Sequence, residues 1–196
     1  MGQRSNKAIF LDRDGTINID KHYLFRSEEF EFIPGVIEAL KKLCDMDFIL
    51  IIVTNQSGIA RGYYTEDDLK RLNVWLQTTL KEKGVEINKI LYCPHLPDAK
   101  IEKYRRTCSC RKPGVSLFLQ AEKEFNIDMS QSYAIGDRMR DLSICWKSKC
   151  NGILVGESES GQDYEFSLEH SSDNVTRCQS MLEAVEYIKN REEEEK

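Results

Sequence analysis

"AIFLDRDGT", residues 8–16, decides how the rest of the chain is read. Four apolar residues, Ala8 to Leu11, lead without interruption into Asp12, Asp14, Gly15 and Thr16. A short apolar run bounded by turn-forming residues marks a strand buried on both faces, as in a parallel sheet covered by helices. The acids then stand just beyond the carboxyl end of that strand, where open parallel sheets place their chemistry. Two carboxylates one residue apart repel each other unless a cation or a proton lies between them. A solvated Asp turn with Gly15 at positive φ accommodates the same pattern, so the motif alone leaves both readings open.

Similar apolar runs recur along the chain. "FILIIVTN" (48–55) is the strongest, and "KILYC" (89–93), "SYAIGD" (132–137) and "GILVG" (152–156) are weaker. Helical patterns separate them. In 34–47, Val36, Ile37, Leu40, Leu43 and Cys44 fall on one face, with Pro34 suited to an early turn. In 65–83, Thr65 and Asp68 form a capping-box start before Leu69, Leu72, Leu76 and Leu80. Further helices are expected over 114–125, over 138–149, and from about Ser180. Strand and helix in alternation predict an α/β fold with a Rossmann-like parallel sheet flanked by helices. One domain (1–196) suffices, with its core over about 7–156. The polar stretch 157–175 reads as a surface loop, and the terminal "REEEEK" (191–196) as a solvated helix end.

Composition narrows the function classes. Of 196 residues, 40% are apolar and 31% charged, as in ordinary globular proteins. No stretch approaches the roughly 18 apolar residues of a membrane span, and the start lacks the apolar core of a secretory signal. "MGQRSN" meets only a loose myristoylation pattern of the kind chance supplies. The net charge of −5 argues against a general nucleic-acid binder. A cytoplasmic monomer acting on a small molecule is the expectation. Seven cysteines, an odd count without an export signal, favour metal binding over disulfides.

The remaining polar residues at the strand ends resolve the opening motif. The second strand ends on Thr54 and Asn55, the fourth on Asp137 with Asp141 close behind, and Lys112 of "CRKPG" precedes a helix. An acid pair, a hydroxyl, a lysine and another acid then converge on one crevice, the parts needed for a nucleophile, an acid/base and a charge stabiliser. Beside them, Cys93 and His95 with Cys108 and Cys110 make a Cys₃His set fit for tetrahedral Zn²⁺. The spacing is not that of a standard finger, so a disulfide or a chance cluster stays open on pattern alone. Four soft ligands leave no open position, so such a zinc would be structural, bracing the loop that ends in Arg111 and Lys112. Cys44, Cys145, Cys150 and Cys178 read as core or surface thiols.

With DRDGT, Thr54, Lys112 and Gly136-Asp137 in place, roughly residues 7–156 resemble the haloacid dehalogenase superfamily of phosphotransferases. The resemblance implies that Asp12 is the nucleophile, forming an aspartyl-phosphate, and that Asp14 is the general acid and base. It implies phosphoryl stabilisation by Thr54 and Lys112, and Mg²⁺ held by Asp12, the main-chain carbonyl of Asp14, and Asp137. Mg²⁺ takes hard oxygen ligands, and its charge together with that of Lys112 lets a carboxylate approach a phosphate dianion.

"FLDRDGTIN", "TNQSGIARG", "YCPH" and "CSCRKP" together resemble the capless, zinc-containing heptose 1,7-bisphosphate 7-phosphatases of that superfamily. This implies release of the C7 phosphate in nucleotide-activated heptose synthesis. The implied substrate contacts are Asp20, Lys21, His22 and Tyr23, then Thr54, Asn55, Gln56 and Ser57, with Lys112 and Arg138. Arg111 would recognise the remote phosphate, for which a planar guanidinium suits better than lysine alone. Position 138 is Arg where either basic residue fits, and "NIDKHYLF" departs from the DHGY-like loop of the family. His22 reads more simply as a loop residue, and Arg61 as either a substrate contact or a surface charge.

Histidinol-phosphate phosphatases share the motifs and a zinc clip, but "TNQSGIARG" and the long loop between the zinc half-sites speak against them. Nucleic-acid 3′-phosphatases share the Asp pair and TNQ, without a basic groove or stacking aromatics here. A zinc-braced scaffold without catalysis would show replacement of Asp12, Asp14, Lys112 or Asp137, and all four are intact. The anomer of the 1-phosphate is not legible at this level.

Overall fold

The computed structural model describes residues 5–156 and 174–194. The first four residues, most of the polar stretch assigned as a loop and the last two residues of the acidic tail lie outside them.

The five anticipated runs form strands β1 (Ala8–Leu11), β2 (Ile49–Asn55), β3 (Lys89–Cys93), β4 (Tyr133–Gly136) and β5 (Asn151–Val155). With β6 (Val175–Cys178) they make one sheet, every pairing parallel, in the order β3-β2-β1-β4-β5-β6. Phe10 of β1 stands opposite Ile51 of β2 on one side and Ala134 of β4 on the other. The strand order reverses at β1. Chains leaving β1 and β4 therefore part to opposite sides of the sheet and open a crevice beyond their carboxyl ends.

Alternation along β1 divides the core. Ile9 and Leu11 pack into a cluster with Val36, Leu40 and Leu43 of α1 (Val36–Asp45) on one face. Leu76 and Leu80 join it from α3 (Glu66–Glu82), which follows the short α2 (Gly58–Arg61); α5 (Met181–Glu194) adds Ala184, Val185 and Ile188. Ala8 and Phe10 face the other way, against Leu117, Phe118 and Ala121 of α4 (Ser116–Phe125). Successive strand side chains point to opposite faces, so one unbroken apolar run supplies both cores. No helix among the described residues is long and apolar enough to cross a membrane.

The expected capping box is present: Thr65 Oγ1 accepts from the Asp68 amide at 3.1 Å, and Asp68 Oδ2 accepts from the Thr65 amide at 2.8 Å. Three expectations need correction. The helix anticipated from residue 34 begins at Val36, because Gly35 takes φ 81° as its N-cap and leaves Pro34 outside. The helix anticipated over 138–149 is a 3₁₀ run, Met139–Trp146, with three-residue hydrogen bonds from the Asp141 amide to Arg138 O and from the Lys147 amide to Ile144 O. Its first turn is tied by Asp141 Oδ2 accepting from the Arg138 amide, and tight winding suits so short a link between two sheet strands. Finally, Val175, placed at the end of a loop, begins edge strand β6. That strand is four residues long and only Cys178 in it is buried, so it lacks the apolar run that announces a central strand.

Candidate active site

Lys112 organises the crevice. It is 3% exposed, and its Nζ donates to Asp12 Oδ1 at 2.6 Å, Asp141 Oδ1 at 2.8 Å and Val53 O at 2.7 Å. An ammonium has three protons, and three acceptors take them. Its main chain is held as well. The Lys112 amide donates to Asn55 Oδ1 at 3.0 Å while Asn55 Nδ2 donates to Lys112 O at 3.1 Å. Asn55, at the end of β2, thus pins the lysine's peptide to the strand edge.

Asp12, Asp137 and Asp141 can each turn one carboxylate oxygen into a group lying within 4.8 Å. Burial, with the neighbouring acids Asp141 and Asp14, raises Asp12 to about 6 although Lys112 opposes the shift. Burial, then Asp141 and Asp12, raises Asp137 to about 7. Oxygen donors gathered against their own repulsion have the chemistry of a site for a hard divalent cation. The backbone shapes this group too. A Cβ on Gly15, at φ 89°, would lie 2.4 Å from Asp137 Oδ2, and one on Gly136 would lie 2.4 Å from the Asp141 Cβ. Only glycine lets the two turns close around these carboxylates.

Asp14 lives in a different environment. Burial alone would raise its pKa, but the Arg13 charge and hydrogen bonds from Asn18, Arg13 and Gln56 outweigh burial and hold the carboxyl below its usual range. Arg13 Nη2 reaches Asp14 Oδ2 at 2.9 Å, Asn18 Nδ2 reaches Oδ1 at 3.0 Å, and Gln56 Nε2 reaches Oδ2 at 3.0 Å. Arg13 is fully buried and also donates to Leu24 O. Gln56 donates in addition to Thr54 Oγ1 at 2.9 Å and accepts from Tyr64 OH at 2.6 Å. Neighbouring carboxylates are therefore biased in opposite directions, Asp12 toward the neutral form and Asp14 toward the ionised one.

An open pocket of about 210 Å³ covers this chemistry. Asp12, Asp14, Asp20, His22, Tyr23, Thr54, Asn55, Gln56, Ser57, Lys112 and Arg138 line it, together with Gly58, Tyr64, Arg140 and Asp141. Lys21 is not brought to it; its Nζ pairs with Glu31 at 3.0 Å. Arg111 stands to one side, lining a neighbouring cleft with Arg106 and Pro113. The His22 side chain is 86% exposed, and His22 and Tyr23 both take positive φ, 54° and 58°, as the loop turns over the pocket. Arg13, Asn18 and Tyr64 were not singled out from sequence, nor was Arg140. The Arg between the two acids of DRDGT was a usable signal for the first, since a guanidinium there can reach either neighbour.

Next to the pocket, Cys93, His95, Cys108 and Cys110 converge. Cys110 Sγ lies 2.9 Å from Cys93 Sγ and 3.2 Å from Cys108 Sγ and from His95 Nδ1. None of these cysteines is in a disulfide. Burial and the Arg106 charge lower the His95 pKa, favouring the neutral imidazole that a metal needs. Three sulfurs and one ring nitrogen within 4.8 Å of one another fit a closed tetrahedral zinc site. The loop between the half-sites is tied back to α3 by Tyr104 OH donating to Glu66 Oε1 at 2.6 Å, while Tyr92 OH donates to Oε2 at 2.8 Å.

Comparison with known proteins follows the same lines. Residues 7–168 match the protein family described as polynucleotide kinase 3 phosphatase. The chain is 47% identical over 167 residues to a D-glycero-beta-D-manno-heptose-1,7-bisphosphate 7-phosphatase of Haemophilus influenzae, covering 81% of this chain and 90% of that one. A Yersinia pestis protein of the same name is 48% identical over 139 residues, covering 71% and 74%. A crystal structure of D,D-heptose 1.7-bisphosphate phosphatase from B. bronchiseptica, complexed with magnesium and phosphate, superposes with a TM-score of 0.78 at 27% identity, covering 94% of this chain and 99% of that one. The chain belongs to the D-glycero-D-manno-heptose-1,7-bisphosphate 7-phosphatase family, within the haloacid dehalogenase superfamily.

Proposed function

We infer that this protein hydrolyses the C7 phosphate of D-glycero-β-D-manno-heptose 1,7-bisphosphate, leaving the heptose 1-phosphate, in nucleotide-activated heptose synthesis. The observation that carries the chemistry is the buried Lys112 bound to both Asp12 and Asp141 at the carboxyl ends of parallel strands. The substrate and its β anomer rest on the named relatives.

Each step follows from the groups in place. An Asp12 oxygen attacks phosphorus, and the bond from phosphorus to the C7 oxygen breaks. Asp14 gives that oxygen its proton. In the second step Asp14 takes a proton from water, the water oxygen attacks the aspartyl-phosphate, and the bond to Asp12 breaks to release phosphate. Resting Asp14 is ionised, so it must gain a proton before the first step. The arriving phosphate supplies the reason, because a nearby negative charge raises a carboxyl's proton affinity. Lys112 offsets phosphoryl charge, Thr54 offers its hydroxyl to a phosphoryl oxygen, and Asn55 keeps the lysine aligned with β2.

Asp12, Asp137 and the main-chain carbonyl of Asp14 would hold Mg²⁺, with Asp141 beside them. The ion would supply charge neutralisation at the transferring phosphoryl group. Cys93, His95, Cys108 and Cys110 would hold Zn²⁺ as a structural clip. The reading sets the protein in the cytoplasm, as a monomer acting on a small sugar, where a thiolate clip stays reduced.

The test is phosphate release with Mg²⁺ from the β and α heptose bisphosphates, histidinol phosphate and a 3′-phosphorylated oligonucleotide, with Asp14→Asn as control. Preference for the β bisphosphate, lowered roughly 10²- to 10⁴-fold in the control, is expected. Preference for histidinol phosphate or the oligonucleotide would replace the substrate, and turnover unaffected by Asp14→Asn would overturn the mechanism.

A further inference from the structure

Gln56 is bonded both to the acid/base and to the hydroxyl assigned to the phosphoryl group. Its Nε2 donates to Asp14 Oδ2 at 3.0 Å and to Thr54 Oγ1 at 2.9 Å. Its Oε1 accepts from Tyr64 OH at 2.6 Å, and Arg13 Nη2 also donates to it, at 3.3 Å. The chemistry of these neighbours fixes which way the amide faces. Arg13 can only donate and an ionised Asp14 can only accept, so the NH₂ must face Asp14 and the oxygen must face Arg13.

Tyr64 and Thr54 can each donate or accept, and the amide decides for them. Tyr64 donates to the oxygen. Thr54 accepts from the NH₂, which leaves its own proton for an acceptor in the pocket that it lines. Both amide protons and both lone pairs of the amide oxygen are then taken, so Gln56 has none to spend on a substrate. Tyr64 is held in turn. It is 6% exposed, and its ring stacks on Phe25 with centroids 5.2 Å apart. A Cβ on Gly58 would lie 2.2 Å from its Cε1, so the ring fills the space above that residue and its hydroxyl is set against Gln56.

We propose that Gln56, locked by Tyr64, is a positioning residue that sets two catalytic groups with one amide. It holds the Asp14 carboxylate in place for the leaving oxygen, and it aims the Thr54 proton at the phosphoryl group. Misdirecting either group weakens an interaction that the transition state needs. This rests on the hydrolysis inferred above, adds Tyr64 to it, and makes Gln56 a positioning residue instead of a substrate contact.

The experiment measures kcat/KM with Mg²⁺ for the β-1,7-bisphosphate and for p-nitrophenyl phosphate, whose weakly basic leaving group departs without a proton. The proteins are the wild type, Gln56→Met, Tyr64→Phe, and each of these combined with Thr54→Val. Gln56→Met is expected to lower kcat/KM roughly 10²-fold for the bisphosphate and roughly tenfold for the aryl phosphate, because only the first needs Asp14 as an acid. Tyr64→Phe should act the same way more weakly, by roughly tenfold and threefold. Beside Thr54→Val the aryl phosphate loss should vanish, since the proton being aimed is gone. Equal losses on the two substrates, or an aryl phosphate loss that persists beside Thr54→Val, mark a merely structural role and overturn the proposal. So do two variants that match the wild type, and in each of these cases the inferred function stands. A wild type that turns over the aryl phosphate but not the bisphosphate overturns the inferred substrate, and the aryl phosphate series then decides whether Gln56 acts through Thr54.

Discussion

The carboxylate group at Asp12, Asp137 and Asp141 and the sulfur group at Cys93, Cys108 and Cys110 are joined by a two-residue step, Cys110 to Lys112, yet are built on opposite terms. The carboxylates come from the ends of two different strands, repel one another and depend on a buried lysine for balance. Three hard oxygens leave positions for water and a phosphoryl oxygen, which a catalytic cation needs. The sulfur group completes its own ligand set with His95, so a cation there gains no position for substrate. Filled, one site would exchange ligands and the other would hold chain. Their adjacency matters because a filled sulfur site would fix where Arg111 and Lys112 leave the loop, and Lys112 is bound to Asp12 and Asp141 of the carboxylate group.

If the sites are chemically independent, Asp12→Asn should remove activity, by about 10⁴-fold or more, while zinc content by elemental analysis stays at the wild-type level. Loss of zinc in that variant would break the division. A smaller effect is expected from the other side. Removing zinc with a chelator, or introducing Cys108→Ser, should lower the melting temperature and raise KM for the bisphosphate about tenfold, because the loop carrying Arg111 loses its anchor. Mg²⁺ affinity measured by calorimetry should change little. Unchanged stability and KM after verified zinc removal would contradict the bracing role.

The smallest effect sharpens the contrast through pH. Asp137 and Asp12, raised to about 7 and 6, are protonated below those values, and a protonated carboxyl does not ligate Mg²⁺. Apparent Mg²⁺ affinity should therefore weaken as pH falls from 8 to 6, by up to about tenfold per unit for each proton displaced. The same shifts make the Mg²⁺-free protein bind more protons than its unfolded chain between about pH 4 and 7. The stability these two groups contribute is thus present in acid and lost as pH rises through 7, the reverse of a salt-bridged carboxylate. Mg²⁺ affinity that is flat over this range would show that the carboxylates are not the ligands.

Much of this was legible because it is local. A strand running into DRDGT, a Cys-x-His and a Cys-x-Cys each place their side chains within one turn of chain, so residue spacing alone states which groups will be neighbours. The 3₁₀ run after β4 and the edge strand β6 were read less well. Periodicity does not distinguish tight from ordinary helical winding over eight residues, and an exposed edge strand has no apolar signature. Spacing also does not say which side chains of one loop reach the pocket: Asp20, His22 and Tyr23 line it, while Lys21 between them pairs with Glu31.

By itself the sequence determined the α/β class, the identity of the acids, lysine and thiols that the fold brings together, and the soft or hard character of each donor set. These depend on side-chain type and short-range order, which the chain carries wherever it goes. Only the tertiary structure decided that Lys112 lies between Asp12 and Asp141 and that Asn55 grips its peptide. Lys112 and Asp12 are 100 positions apart, and they meet because β1 lies at the centre of a parallel sheet where the strand order reverses. The same closeness sets titration, since burial and neighbouring charge, properties of the fold, raise the proton affinity of one carboxylate of DRDGT and lower that of the next.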